Sequence, residues 1–114
     1  MPAVRTRPAK EVEPLLNAGL DPPAIARLTG RSTRTAERWA NGETNPRGEG
    51  RKRLLALDAV VEALAAALPR ADPADWLQRP NVELDFDSPA EAIEHGGAKR
   101  VLALLTAIGE GAYL

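Results

Sequence analysis

Two short helices with clear boundaries, separated by a tight turn, constrain the fold of this sequence more than any other feature. Ser32 is a good N-cap, because its hydroxyl can accept a hydrogen bond from a free backbone N–H of the first helical turn. Gly42 can adopt the left-handed conformation that ends such a helix. The preceding stretch begins with Asp21 as N-cap and Pro22 at the first helical position, and it ends at Gly30. This spacing predicts a helix-turn-helix.

The second of these helices has one apolar face and one polar face. Ala36, Trp39 and Ala40 stand at i, i+3 and i+4, which predicts an inward stripe. The opposite face carries side chains of the kinds that contact phosphates and base edges in a major groove. An ordinary helical hairpin that contacts no nucleic acid is the alternative, but arginines on the exposed face favour DNA. The predicted DNA-binding residues are Arg31, Thr33, Arg34, Arg38 and Asn41.

The charges are distributed unevenly along the chain. Residues 1–53 carry 11 Lys and Arg against 6 Asp and Glu, whereas residues 54–114 carry 4 against 10. A basic first half suits DNA, and an acidic second half would repel it, so the second half is expected to have a different role. The basic triplet at 51–53 is either a phosphate clamp or a solvated charge cluster.

Composition excludes several classes of site. An apolar content of 44% with only 4% aromatic residues predicts an all-α fold with a core of Leu, Val and Ala. The absence of cysteine excludes disulfides, and a single histidine, His95, excludes most zinc sites, so we expect no metal and no cofactor. Asp72 and Asp75 are better explained as helix-start residues than as a catalytic pair. We therefore expect no catalytic residues and no enzymatic activity.

The remaining pattern predicts further helices and three regions. A first helix is expected over residues 10–18, a loop over 43–50, and a long helix over 54–68. The long helix has an apolar stripe and mostly alanine elsewhere, which predicts burial on several sides, one of them against a second copy. The stripe comprises Leu54, Leu57, Val61, Leu64 and Leu68. The predicted regions are 1–53 for DNA binding, 54–70 as a connecting core helix, and 71–114 for a second partner.

The C-terminal region is predicted to contain short helices and an apolar end. Asp72 and Ser88 are expected N-caps, the second within a capping box with Glu91, and residues 81–87 are expected to be extended. A final helix is expected over 98–108. Tyr113 and Leu114 follow it, and they are expected either to fold back on the core or to insert into another protein.

No membrane attachment is predicted. The Leu- and Ala-rich run at 54–68 contains Asp58 and Glu62 and is too short to span a bilayer of about 30 Å. The N-terminal residues have no signal-peptide h-region. We therefore expect a soluble cytoplasmic protein.

From about Leu20 onward, the sequence resembles the MbcA/ParS/Xre antitoxins. The most specific part of the resemblance is Trp76 with Pro80-Asn81, followed by Ser88-Pro89. The other matching positions are Arg38-Trp39, Gly42, Pro46, Arg53-Leu54, Leu57, Leu68-Pro69-Arg70, Leu77, Val101-Leu102-Ala103-Leu104 and Gly111.

The resemblance implies two functional halves. It implies an N-terminal helix-turn-helix of Xre type and a C-terminal domain that binds a RES-domain toxin, a class that degrades NAD or transfers ADP-ribose from it. It further implies that the C-terminal segment covers the active-site cleft of the toxin, in complexes that contain several copies of both chains. The residues expected to bind the toxin are Lys99, Arg100, Glu110, Gly111, Tyr113 and Leu114.

The prolines depart from the family pattern. Pro14 and the Pro22-Pro23 pair are expected to make the first helices irregular. We therefore keep two alternatives, an antitoxin that has lost DNA binding and a stand-alone repressor whose C-terminal half only dimerises.

Overall fold

The computed structural model describes residues 7–111, and these residues form an all-α fold without a β-strand. Tyr113 and Leu114 lie outside the described residues. The seven α-helices are α1 (Glu13–Asn17), α2 (Pro22–Thr29), α3 (Thr33–Ala40), α4 (Gly48–Ala67), α5 (Pro73–Gln78), α6 (Pro89–Glu94) and α7 (Ala98–Gly109). A short 3-10 helix over Val82–Leu84 lies between α5 and α6.

The helix starts predicted from Asp21, Ser32 and Asp72 are confirmed, because each of these capping side chains hydrogen-bonds where the sequence indicated. The carboxylate of Asp21 accepts from the Ala24 N–H at 3.0 Å, and that of Asp72 accepts from the Asp75 N–H at 3.0 Å. The hydroxyl of Ser32 accepts from the backbone N–H three residues later at 3.1 Å. Each bond satisfies an N–H that the first helical turn cannot satisfy itself. Local chemistry therefore sets these starts.

The α2–α3 unit, residues 22–40, closes through Gly30, whose φ of 71° is left-handed. The Arg31 N–H donates to the Ala26 carbonyl at 3.0 Å, which satisfies one of the last free carbonyls of α2. Ala26 itself is buried in the core that α2 and α3 share. Ala36 and Trp39 are buried as predicted, and Ala40 is half-buried. The helix phase predicted for α3 is thus confirmed.

Helix α4 starts six residues earlier than the sequence indicated, so the loop predicted over residues 43–50 is wrong in its second part. Gly48, Glu49 and Gly50 lie in the helix instead. A Cβ at Gly50 would lie 3.4 Å from Trp39 Cζ2, so the missing side chain lets the start of α4 pass close to the indole. Tertiary packing therefore makes a glycine helical where its propensity predicts a break.

The apolar stripe of α4 forms the centre of the core, while its alanine-rich side faces outward. Leu54, Leu57, Val61 and Leu64 are buried, as predicted, with Val60 beside them. The predicted packing of this helix against both halves is confirmed, because α4 contacts the α2–α3 unit and α7, whereas several residues of its other faces remain exposed in the single chain. These are Leu55, Ala56, Ala65 and Ala66.

Two further sequence predictions need correction. The first helix covers only Glu13–Asn17, because Pro14 occupies its first turn and residues 10–12 form a turn before it. Residues 81–87 are not extended, since they contain the 3-10 helix and two left-handed residues, Asp85 and Phe86.

The N- and C-terminal parts share one hydrophobic core. Helix α7 packs along α4, and a Cβ at Gly109 would lie 3.7 Å from the Cβ of Ala67. An ion pair between Arg27 on α2 and Glu94 on α6, at 3.1 Å, joins the two parts at the surface. Contacts between residues distant in sequence therefore fix how the α2–α3 unit lies relative to the C-terminal helices.

Candidate functional site

The first candidate surface is the exposed face of α3. Arg31, Thr33, Arg34, Arg38 and Asn41 are all exposed, as the sequence indicated. From Thr33 to Asn41 they occupy one side of the helix, because residues three, four and seven apart fall on one helical face. Trp39, only 3% exposed, fills the opposite side. Its carbonyl accepts from the Ala9 N–H at 2.9 Å, which ties the segment before α1 to α3.

The same face also carries acidic groups that the sequence interpretation left out. Glu37 lies on it, between Thr33 and Asn41, and is exposed. The Asn41 side-chain amide donates to a carboxylate oxygen of Glu43 at 3.3 Å. These two carboxylates reduce the positive potential that the arginines create. The face is therefore polar and mixed in charge rather than uniformly basic.

A shallow groove of about 580 Å³ runs beside α3. Its floor contains Trp39 and Gly50, and its rim carries arginines from three segments of the chain. A Cβ at Gly50 would lie 3.3 Å from Arg31 Cδ, so the stem of Arg31 rests on the start of α4. The rim arginines are Arg31, Arg38 and Arg47.

The basic triplet at the start of α4 is partly neutralised within the chain. Arg51 pairs with Glu11 at 3.1 Å, and Arg53 pairs with Glu49 at 3.6 Å. Lys52 is exposed and has no ion pair among residues 7–111. Two of the three cations are thus already paired with carboxylates, which favours a charge cluster over a dedicated phosphate clamp.

The second candidate surface lies in the C-terminal part, where four of the six residues expected to bind a toxin are described; Tyr113 and Leu114 lie outside the described residues. Lys99 and Glu110 are exposed, and Gly111 has a φ of 85° after the end of α7. Arg100, expected to be free for a partner, is instead paired with Asp85 at 3.1 Å. Its guanidinium also donates to the Glu83 carbonyl at 3.4 Å. Arg100 therefore fixes a neighbouring turn rather than projecting freely.

Residues 81–87 form a structured turn that the sequence pattern did not predict. The side-chain oxygen of Asn81 accepts from the Glu83 N–H at 2.9 Å, and the Asn81 carbonyl accepts from the Phe86 N–H at 2.9 Å. Phe86 is 71% exposed and Val82 is 63% exposed. The one local signal was Asn81, since asparagine often hydrogen-bonds the backbone two residues ahead.

The capping box at α6 is complete and depresses an acidic pKa. The Glu91 N–H donates to Ser88 Oγ at 3.1 Å, and the Ser88 N–H donates to Glu91 Oε1 at 2.8 Å. The hydrogen bond from the Ser88 backbone is the largest cause that lowers the pKa of Glu91, followed by the one with the Ser88 side chain. The capping box predicted from sequence is thus confirmed, and it begins α6 directly after the 81–87 turn.

Asp58 on α4 is a partly buried carboxyl group, and one of its oxygens has no hydrogen-bond partner within the described structure. Burial raises the pKa of Asp58 to about 6, with further contributions from the negative charges of Glu11 and Glu62. Its Oδ1 atom is buried and has no hydrogen-bond partner within the described structure. Because Glu11 is far from Asp58 in sequence, this raised pKa could not be foreseen from the local pattern.

Two other kinds of feature do not occur within residues 7–111. No helix there is long and apolar enough to cross a membrane. Those residues also contain no group of three or more His, Cys, Asp or Glu side chains that could hold a metal ion.

Comparison with known proteins identifies relatives over most of the chain. The mycobacterial cidal antitoxin MbcA of Mycobacterium tuberculosis H37Rv is 34% identical over 96 residues, which cover 84% of this chain and 85% of MbcA. The MbcA of Mycobacterium bovis matches to the same extent. No protein-family model matches the sequence.

A solved structure matches the whole fold. The crystal structure of the M. tuberculosis MbcT–MbcA toxin–antitoxin complex contains a chain that aligns with a TM-score of 0.78 at 32% identity. The alignment covers 91% of this chain and 94% of that one.

The all-α fold, together with the match to a chain of a toxin–antitoxin complex, places this protein in the antitoxin class. The identity and coverage are specific enough to assign it further. The chain belongs to the MbcA family of antitoxins.

Proposed function

We propose that this chain binds and neutralises a RES-domain toxin that consumes NAD, by covering the active site of that toxin with its C-terminal part. The observation that carries the proposal is the match to a chain from a toxin–antitoxin complex over 91% of this chain. A match of that extent includes both the α2–α3 unit and the C-terminal helices, so it supports a shared mode of action rather than a shared motif. Several copies of both chains are expected in the complex.

The C-terminal contact is tested by changing the apolar end of the sequence. Tyr113→Ser combined with Leu114→Ser removes the two large apolar side chains expected to enter the toxin and leaves residues 7–111 unchanged. We expect the double variant to lose protection of growth when it is co-expressed with the protein encoded by the neighbouring reading frame. That protein is expected to be a RES-domain toxin.

A matched control replaces an exposed apolar residue elsewhere. Leu55 lies on the outward side of α4 and is 40% exposed, so Leu55→Ser removes an exposed apolar side chain outside the C-terminal part. This variant should protect growth fully. Full protection by soluble Tyr113→Ser/Leu114→Ser protein would exclude the apolar end from the toxin contact.

We propose DNA binding as a second function, in which the α2–α3 unit is an Xre-type helix-turn-helix that represses the operon of the protein. Exposed Arg34 and Arg38 on α3 support it. Glu37 and the Asn41–Glu43 pair favour the alternative of an antitoxin that has lost DNA binding. Replacing Arg34 and Arg38 with alanine and measuring binding to promoter DNA decides between these two alternatives.

A further inference from the structure

The 81–87 turn carries the two most exposed large apolar side chains of residues 7–111. Phe86 is 71% exposed and Val82 is 63% exposed, whereas the next such residue, Leu55, is 40% exposed. Single exposed apolar residues are common on protein surfaces. Together these two side chains, which we call the apolar patch, concentrate exposed apolar surface in one short turn.

Backbone hydrogen bonds and one buried side chain hold the conformation of the turn that carries the patch. The carbonyl of Asn81 accepts from the N–H groups of Leu84 and Phe86, each at 2.9 Å, and the Asn81 N–H donates to the Asp87 carbonyl at 3.0 Å. Leu84 is fully buried and anchors the turn in the core. A preorganised apolar anchor loses little conformational entropy when it binds a partner.

The backbone conformation at the patch does not favour the residues that occupy it. Asp85 has a φ of 56° and Phe86 a φ of 72°, and these are the only positive φ values at residues other than glycine within 7–111. The left-handed region is unfavourable for side chains with a Cβ, and glycine adopts it at no steric cost. Folding alone would therefore favour glycine at position 86, and the exposed phenyl ring needs another explanation.

The charges around the patch restrict the kind of partner. Glu83, Asp85 and Asp87 are all exposed beside Val82 and Phe86. Asp85 is paired with Arg100. Glu83 and Asp87 are therefore the carboxylates of this turn without an ion pair among residues 7–111, and they repel nucleic acid and anionic membrane surfaces. They suit a protein surface on which an apolar pocket is bordered by Lys or Arg side chains.

The turn is also continuous with the surface assigned to the toxin. Arg100 is one of the residues that the family resemblance implies for toxin binding. Its guanidinium donates to Asp85 Oδ2 at 3.1 Å and to the Glu83 carbonyl at 3.4 Å. This exposed ion pair joins the turn to the start of α7, so the segment that carries Phe86 adjoins a residue of the proposed toxin contact.

We propose that Phe86 and Val82 form an anchor that enters an apolar, basic-rimmed pocket on the toxin, at a contact that adjoins Arg100 and is additional to the contact made by residues 110–114. This inference rests on the proposed antitoxin function. A second copy of this chain is the competing occupant, and the experiment separates the two.

The central experiment replaces Phe86 with glycine, which removes the anchor and relieves the backbone. The purified full chain is titrated against an active-site variant of the protein encoded by the neighbouring reading frame, using calorimetry. Phe86→Gly should weaken binding at least about 30-fold, the effect of removing a central anchor residue. Its melting temperature should equal or exceed that of the wild type, because glycine fits the left-handed conformation.

A second variant and a control accompany it. Val82→Ser leaves the left-handed residues untouched and should weaken binding about 3- to 10-fold, since Val82 offers less apolar surface. Leu55→Ser should bind within about 3-fold of the wild type.

Each outcome has a definite meaning. If the wild type does not bind the neighbouring protein, the proposed function fails. If it binds and Phe86→Gly binds within about 3-fold, the anchor is wrong while the antitoxin function stands. A lower melting temperature of Phe86→Gly would indicate a structural role and also overturn the anchor. If the substitution changes only the self-association of the antitoxin, measured by sedimentation, the anchor is also wrong, because the patch would then contact a second copy of this chain.

Discussion

The α2–α3 unit and the 81–87 turn expose opposite kinds of surface. The outer face of α3 is polar, carries both arginines and glutamates, and keeps its aromatic residue, Trp39, in the core. The turn exposes its aromatic residue, Phe86, among carboxylates and in a backbone conformation that disfavours it. A buried aromatic beneath polar side chains suits a surface that contacts DNA, whereas an exposed aromatic among acids suits a protein partner. One small core thus supports two surfaces of different chemistry.

The largest expected effect tests how strongly the buried aromatic residue of the α2–α3 unit stabilises the fold, with a partly buried indole on α5 as the reference. Trp39→Ala should destabilise the protein by about 3–5 kcal/mol, because the cavity beneath α3 cannot be refilled. Trp76→Ala on α5 should cost about 1–2 kcal/mol, since that side chain is only partly buried. Chemical denaturation of both variants measures the difference. Equal costs would show that the two indoles are packed alike.

The next effect tests whether the polar face of α3 contacts DNA. Replacing both Arg34 and Arg38 with alanine should weaken binding to the promoter region. Each of the two arginines that contacts a base should contribute about 1–3 kcal/mol to this loss. The slope of the salt dependence should fall by about one unit for each of them that binds a phosphate. Melting temperature should hardly change, because both side chains are exposed.

Glu37→Gln is the matched variant on the same face. It removes a negative charge near the phosphates and should strengthen DNA binding. Unchanged affinity and unchanged salt dependence in the double arginine variant would rule out this face as the DNA contact. A wild-type protein that binds no promoter DNA would instead identify an antitoxin that has lost DNA binding.

The smallest effect concerns the core that joins the two regions. Asp58 has a pKa raised from 3.8 to about 6, so the folded protein holds this proton more tightly than the unfolded chain does. Its ionisation therefore costs stability as pH rises from about 4 to 6, and the full cost is present above pH 6.

Asp58→Asn should stabilise the protein at pH 7 by about 1 kcal/mol, once solvent screening of this half-buried group is allowed for. The gain should shrink as the pH falls toward 4 and approach zero only below about pH 3, where the carboxyl group is protonated in both the folded and the unfolded state. Thermal unfolding of variant and wild type across this range gives the comparison. A gain of the same size at pH 4 and pH 7 would mean that Asp58 ionises normally.

The sequence by itself determined where most helices begin. Asp21, Ser32, Asp72 and Ser88 cap helices as predicted, because a cap joins residues only three positions apart. The inward stripes of α3 and α4 were also predictable, because the 3.6-residue periodicity of the apolar residues can be read directly from the sequence. The exposed DNA-contact candidates followed from the same periodicity. The toxin-binding candidates came from the family resemblance.

The tertiary structure alone decided the features that depend on distant residues. Gly50 is helical because α4 passes close to Trp39, and Asp58 has a raised pKa because the fold buries it beside Glu11. The 81–87 turn holds Phe86 outward with the help of Arg100, which lies on another helix. Each of these depends on a contact across 11 or more positions of the sequence, where neither capping nor periodicity carries information.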